Sequence, residues 1–368
     1  MMRDYFSKAD LLIQNPFIKE AFGLCREGEK SYLSWQEPGL PPIDFPVLQW
    51  NNFYKDSMLD SPLWAGFQGS REVRGTHSLQ FLGKIPPLEY TKAPYRQWIQ
   101  DKASWNIFCE KISAGLRNNE FKKIVPSRFR QTNLSDPDKK TVLENLFHKI
   151  SHTAAPGSFC FFFKRGESLF FGITPELLFQ RKNKEIYVPA IAGTAMAGEN
   201  PEAAEQKLLA SSKEREEHAF VVEGIVTAME KIGLSPLVSA EPKILRLKKL
   251  SHLYTPIYAH DPGKNILSND ALIEALHPTP AIGGFPKDPA MDFLAKEEPW
   301  DRGLFSSPLL FSLPDEEICL VAIRSAMIQK DTFTQFAGAG FVKESQAESE
   351  WLETEQKMQA IASILFES

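Results

Sequence analysis

The stretch that decides the fold is residues 158–194, SFCFFFKRGESLFFGITPELLFQRKNKEIYVPAIAGT. It holds four strand-like runs, SFCFFF, SLFFGI, LLFQR and EIYVPA, rich in aromatic and β-branched residues and separated by charged turns such as KRGE and KNKE. Turns this short predict antiparallel neighbours. On the N-terminal side, Trp105, Phe108, Ile112 and Leu116 recur at helical spacing, and Val142, Leu143, Leu146, Phe147 and Ile150 mark a second amphipathic helix. On the C-terminal side, residues 201–232 contain few helix breakers and read as one long helix with an apolar stripe through Val221, Val222, Ile225, Val226 and Met229. ICLVAIRSAMI and TFTQFAGAGFV then predict a second hairpin-like pair, and SQAESEWLETEQKMQAIASILF a closing helix with Ser345 and Glu348 as a capping box. Residues 1–95, rich in Pro and aromatics, predict short strands and loops. Strands mixed with long helices, without regular βαβ alternation, predict an α+β architecture of antiparallel sheets flanked by helices.

The composition narrows the function. The chain has 368 residues, 43% hydrophobic and 24% charged, with 42 basic against 47 acidic side chains and a net charge of −5. Without an excess of Lys and Arg to neutralise phosphates, a general nucleic-acid binder is excluded, and a small-molecule or protein partner is expected. Cys25, Cys109, Cys160 and Cys319 are far apart, form no zinc-like cluster, and read as buried thiols in a reducing compartment. Gln14, Asn15 and Pro16 interrupt the first apolar stretch, so no signal peptide is expected, and no apolar run is long enough to span a membrane. The expectation is a cytoplasmic protein, and, lacking an exposed heptad pattern, a monomer.

Several residues could carry chemistry. Glu350 and Glu353 share one face of the closing helix, and Glu217 lies at the centre of the long helix. Carboxylates reached from separate helices suit Mg²⁺, although solvated helix faces carry the same pattern. Gly338 and Gly340 in FAGAGFV permit either a close backbone approach to a ligand or a plain bulge. The loop HPTPAIGGFP, residues 277–286, is stiffer than a linker needs to be. Thr174, Pro175 and Glu176 read as a helix start, with Glu176 a dipole partner. Lys123 falls on a strand-like run, and His252 and His277 are as compatible with structural as with catalytic roles.

The order of these segments narrows the choice. KIVPSR, FGITPELLF, PAIAGT, KEREEHAFVV, SHLYT, LHPTPAIGGFP, EEPWDRGLF, AIRSA, FAGAGFV and SQAESEWLETEQK, spread over residues 100–365, together resemble the chorismate-utilising enzyme family. The resemblance implies that family's fold, antiparallel sheets packed face to face and flanked by helices. Residues 96–368 would form the chorismate-binding core and residues 1–95 a variable part of the same structural domain. It also implies a Mg²⁺-dependent enzyme acting on chorismate, a cyclohexadiene bearing two carboxylates. Glu217 and Glu353 then correspond to metal ligands, with Glu350 beside them. Gly193, Thr194, Phe305, Arg324, Gly338 and Gly340 match substrate-binding positions, and His252 and Ala281 line the ring pocket. Arginine and backbone N–H groups suit a dicarboxylate because they donate charge-assisted hydrogen bonds at fixed geometry.

Within the family, Lys123 stands where water-using members carry a general base and ammonia-using members typically carry glutamine. Ala192 stands where a nucleophilic lysine serves aminodeoxychorismate synthases, and Ala281 where salicylate and anthranilate synthases carry threonine. The combination implies an isochorismate synthase, an isomerase needing no glutaminase subunit. Lys123, in its neutral form, would take a proton from water attacking C2. Glu176, kept protonated by its pocket, would donate to the departing C4 hydroxyl. Menaquinone formation is the most general use of the product; a catechol siderophore and salicylate are the others. The segment Phe305, Ser306, Ser307, Pro308 departs from the family, which commonly has glycine there, and Ala197 replaces a common arginine. The rival readings are a salicylate synthase, an anthranilate synthase subunit and a non-catalytic chorismate-binding or scaffold protein.

Overall fold

A computed structural model describes residues 20–26, 32–36 and 48–50 and, apart from short interruptions, residues 101–366. The expected feature at Ala197 lies outside the described residues. Two antiparallel sheets form the body. In the first, β1 (Glu20–Arg26) and β2 (Tyr32–Gln36) extend an edge made by β6 (Phe159–Arg165) and β7 (Ser168–Thr174). It continues through β16 (Ser325–Gln329) and β17 (Thr332–Gly338) to β5 (Ser127–Asn133). The second runs β10 (Leu237–Val238), β12 (Leu250–His260), β9 (Glu185–Met196), β8 (Leu177–Lys182), β15 (Glu317–Val321), β14 (Pro308–Ser312), β3 (Leu48–Trp50), with β11 (Lys243–Arg246) also on β12. A small third sheet pairs β4 (Lys123–Ile124) with β13 (Gly284–Phe285).

Alternation along the strands builds three layers of core. Phe159, Phe161 and Phe163 of β6 point inward and pack with Phe170, Phe336, Leu309, Phe311 and Leu320 between the two sheets. Cys160 and Phe162 point outward, with Phe171 and Ile328, under Val142, Leu146 and Ile150 and under α7 (Ala347–Phe366). On the far side, α4 (Ser212–Lys231) lays Val221, Ile225 and Met229 across Val188, Ala190 and Ile257 of the second sheet. Each fully buried Phe or Leu contributes about 1.5–3 kcal/mol relative to exposure. The helix expected around Trp105 to Leu116 is α1 (Lys102–Arg117), capped by the Asp101 carboxylate, which accepts from the Ser104 N–H at 2.7 Å. Its Trp105, Phe108, Ile112 and Leu116 are all buried. Three free cysteines, Cys109, Cys160 and Cys319, are buried, and burial together with nearby Glu350 pushes the Cys109 thiol up to about 12.

Four local expectations are corrected. Thr174, Pro175 and Glu176 do not start a helix: β7 ends at Thr174 in the first sheet and β8 begins at Leu177 in the second, so the turn carries the chain between sheets. The short turn therefore does not make β7 and β8 neighbours. ICLVAIRSAMI is likewise not one strand, since β15 and β16 belong to different sheets and the chain crosses through residues 322–324. The two crossings are bonded to each other. The Thr174 hydroxyl donates to Val321 O at 2.6 Å, the Val321 N–H to Glu176 O at 3.0 Å, and the Ile173 N–H to Arg324 O at 3.1 Å. The long helix is two, α3 (Pro201–Ala210) and α4, because Ser211 leaves helical geometry and its hydroxyl accepts from the Glu214 N–H at 3.3 Å. Finally, α7 starts at Ala347, so Ser345 and Glu348 make no capping box. The Ser345 hydroxyl accepts from the Val342 N–H at 3.1 Å, and Glu348 accepts from Lys102 at 2.7 Å.

Candidate active site

The crossings, β4, the C-terminal part of β9 and the first turns of α4 and α7 surround one cavity. Lys123, Glu176, Gly193, Thr194, Glu217, His252, Ala281, Phe305, Arg324, Gly338, Gly340, Glu350 and Glu353 all line it. The residues that the family resemblance singled out are therefore gathered at one place, from positions more than two hundred residues apart, whereas His277 does not line the cavity.

β4 is short because Pro126, which has no N–H to donate, separates it from β5. Pairing with β13 buries Lys123 to 1% exposure and sets its Nζ 2.9 Å from Glu217 Oε1. Arg302, from EEPWDRG, is what ties this corner together. Its guanidinium donates to Glu298 Oε2 at 2.6 Å, to Val125 O at 2.6 Å and to Ile282 O at 2.9 Å. Glu298 in turn accepts from the Ser127 N–H and hydroxyl, each at 2.7 Å. The loop 277–286 and the strand bearing Lys123 are thus fastened to one buried ion pair.

Glu176 and Arg324 owe their positions to the paired crossings. Burial pushes the Glu176 carboxyl up to about 7, against the opposing pull of Lys123, Lys357 and Arg324. Burial also lowers the Arg324 guanidinium to about 10, though it stays protonated at neutral pH. One Arg324 N–H donates to His252 Nε2 at 3.2 Å. Because a guanidinium cannot accept, His252 must carry its proton on Nδ1, where Gly193 O at 3.2 Å and Thr194 Oγ1 at 3.0 Å are in reach. Burial first, then Arg324 and Lys357, lower His252 to about 3, so it is neutral. Gly193 has φ 75°, a conformation glycine takes without a Cβ penalty, and lies against Glu214, whose carboxylate accepts from the Thr194 N–H at 2.9 Å.

The carboxylates of α4 and α7 each face a lysine. Glu217 pairs with Lys123, Glu350 with Lys213 at 3.1 Å and Glu353 with Lys357 at 2.6 Å. Among the described residues no three acidic or imidazole groups converge on a common point, so the expected three-carboxylate metal site is not assembled in this arrangement. The chemistry of these carboxylates nevertheless fits a hard divalent cation: all donors are oxygens, and neighbouring carboxylates raise one another. Burial and then Glu353 push Glu350 up to about 7, and burial and then Glu217 raise Glu214. Burial opposes ionisation of Glu353, but Lys357, Lys213 and Lys123 outweigh it and hold this carboxyl below its ordinary value. Glu217, Glu350 and Glu353 are the residues that would hold Mg²⁺. Arg128 fixes α7, which bears Glu350 and Glu353: its guanidinium stacks 3.5 Å over Trp351 and donates to Thr354 Oγ1 at 2.7 Å.

The sequence reading missed Lys213, Glu214 and Lys357, which also line the cavity. A signal was present: Lys213 lies four residues before Glu217 and Lys357 four after Glu353, the spacing of facing helical neighbours. Lys357 also donates to Gly338 O at 2.8 Å, joining α7 to the glycine-bearing end of β17.

A family model described as chorismate binding enzyme matches residues 77–366. The chain belongs to this family. Over 272 residues it is 35% identical to the salicylate biosynthesis isochorismate synthase of Pseudomonas aeruginosa, covering 72% of this chain and 55% of that protein. It is 29% identical over 288 residues to isochorismate synthase MenF of Escherichia coli, covering 76% of this chain and 64% of MenF. It therefore spans between half and two thirds of the length of these curated relatives. The solved structure of Escherichia coli MenF, described as the menaquinone-specific isochorismate synthase, shares the fold with a TM-score of 0.74 at 21% identity, covering 97% of this chain and 90% of that one. The α+β architecture of this chain is thus that of a known structure. No helix among its described residues is long and apolar enough to cross a membrane.

Proposed function

We propose that this chain is an isochorismate synthase that converts chorismate to isochorismate in a Mg²⁺-dependent isomerisation. The observation that carries the reading is the placement of Lys123 and Glu176 in the wall of one cavity, with burial pushing Glu176 up to about 7. A carboxyl held protonated near neutral pH is suited to general-acid work. Lys123 rather than glutamine, Ala192 rather than lysine and Ala281 rather than threonine support water as nucleophile and a reaction that stops at isochorismate. The names of the two relatives support the same activity.

In this reading chorismate lies with one carboxylate toward Glu217, Glu350 and Glu353 and the other toward Arg324. Glu217, Glu350 and Glu353 would hold Mg²⁺, which would supply an electrostatic clamp for the substrate carboxylate. Lys123 removes a proton from water as its oxygen bonds to C2. The ring double bonds shift, the C4–O bond breaks, and Glu176 gives its proton to the departing hydroxyl, which leaves as water. Proton return from Lys123 to Glu176 through solvent restores both groups. His252, neutral and fixed by Gly193 and Arg324, orients the guanidinium without adding charge. The buried apolar walls at Ile282 and Phe305 limit water around the ring.

We further infer a cytoplasmic enzyme, in keeping with its free buried thiols, that works as a monomer without a glutaminase subunit, with residues 1–95 a variable part of the same domain. Its product is assigned to menaquinone formation, the most general use of isochorismate. Loss of menaquinone on deleting the gene, with salicylate unchanged, is the expected result; the reverse would reassign the pathway. The mechanism is tested by turnover in ¹⁸O-water, which should label the C2 hydroxyl of isochorismate. Lys123→Gln and Glu176→Gln should each lower kcat by about 10²–10⁴-fold with circular dichroism unchanged. Near-normal rates in either variant would sink the assignment.

A further inference from the structure

Two non-glycine residues in the cavity wall hold left-handed backbones, Ser306 at φ 62° and Arg324 at φ 47°. The other such residues have ordinary reasons. Asn183 and Lys330 sit in the turns joining β8 to β9 and β16 to β17, and Asn119 follows the last turn of α1. Ser306 turns no hairpin. Its N–H donates to Ala322 O at 3.0 Å, which places it against the second crossing, two residues before Arg324.

The neighbouring serines differ. The Ser307 hydroxyl is closed off by Leu304 O at 2.6 Å, and that of Ser325 donates to Ala322 O at 3.2 Å. Ser306 is 2% exposed and lines the cavity, yet its hydroxyl makes no hydrogen bond with any described residue. A left-handed serine where glycine would be free of strain is costly. Here that cost falls on a residue whose hydroxyl is left open to the cavity.

We propose that Ser306 is a specificity-determining residue whose hydroxyl donates to the same substrate carboxylate that Arg324 pairs with. The inference rests on the isochorismate synthase reading and deepens it. Arg324 gives one N–H to His252 and has others to offer, and a carboxylate has two oxygens able to accept from a guanidinium and a hydroxyl at once. Chorismate bears two carboxylates. The ring carboxylate belongs at the end with Glu217, Glu350 and Glu353, which leaves the enolpyruvyl carboxylate for Arg324 and Ser306.

The test is equilibrium binding by intrinsic tryptophan fluorescence, with Mg²⁺ present. It compares chorismate with 2,3-dihydroxy-2,3-dihydrobenzoate, a cyclohexadiene carboxylate that lacks the enolpyruvyl group. Ser306→Ala should weaken chorismate binding about tenfold or more, as expected for loss of a hydrogen bond to a charged group. It should leave the dihydroxy compound within about twofold. Ser306→Gly, which suits the backbone, should show the same selective loss with a raised Tm, separating the hydroxyl from the strain. Unchanged chorismate affinity in both variants, or equal loss for both ligands, would overturn the inference while leaving the isochorismate reading intact. Failure of the folded wild-type protein to bind chorismate would overturn that reading and the inference together.

Discussion

Gly340 lies so close to Glu217 that a methyl group on its α-carbon would sit 2.4 Å from Glu217 Oε1 and 3.2 Å from Lys123 Cε. The glycine is required here by close approach rather than by an unusual turn. Gly340→Ala must push Glu217 aside and lengthen its 2.9 Å contact with Lys123. Misplacement of that order should lower kcat/KM by roughly 10²-fold with little change in secondary structure. Steady-state kinetics on the variant check this, and a rate within twofold of wild type would contradict it.

Glu176 makes the protein's pH response specific. Its carboxyl titrates near 7 when folded, above the ordinary value of 4.5. Between those values the folded state binds the extra proton, so this group's contribution to stability falls as pH rises from about 4.5 to 7 and is flat above. Glu176→Gln removes the titration. The variant should match the wild-type Tm at pH 5 and exceed it at pH 8. In the wild type, kcat/KM should decline as pH rises through about 7, as the acid loses its proton. Equal Tm differences at the two pH values would refute the assignment.

The pair of Arg302 and Glu298 should dominate stability near the site. Both side chains are essentially inaccessible to solvent, at 1% and 0% exposure, and Glu298 also holds Ser127. Arg302→Ala leaves a buried carboxylate without its partner, and urea unfolding should show a loss of about 3–5 kcal/mol. A loss below about 1 kcal/mol would mean that the loop 277–286 is held by other contacts.

Ser211 gives a smaller effect with a local origin. Its hydroxyl caps α4 three residues before Glu214 and six before Glu217. Ser211→Ala should cost ~1 kcal/mol in chemical denaturation. No measurable change would indicate that α3 and α4 can merge into the single helix that the sequence suggested.

The parts of the fold governed by local pattern were legible in the sequence. Phe159 to Phe163 form the continuous apolar run that a strand buried on both faces requires, and Trp105 to Leu116 repeat as a helix. What was hidden depends on pairing at a distance. Thr174, Pro175 and Glu176 satisfy every local rule for a helix start, yet the hydrogen bond from the Val321 N–H to Glu176 O turns them into a bridge between sheets. Arg324 interrupts an apolar run without a glycine or proline to mark the crossing, because its φ of 47° is imposed by that bridge. The residues that line the cavity were legible as an ordered set of motifs. Their lysine partners were less so, since Lys213 and Lys357 look like ordinary exposed helix positions until α4 and α7 are brought to the same cavity.

The most direct measurement is to incubate the purified protein with chorismate and Mg²⁺, with and without EDTA, and to separate the products by liquid chromatography. The account predicts an isochorismate peak that disappears with EDTA and is not accompanied by pyruvate. Salicylate with pyruvate would show that a lyase step follows in the same pocket despite Ala281, and unchanged chorismate would contradict the proposed activity outright.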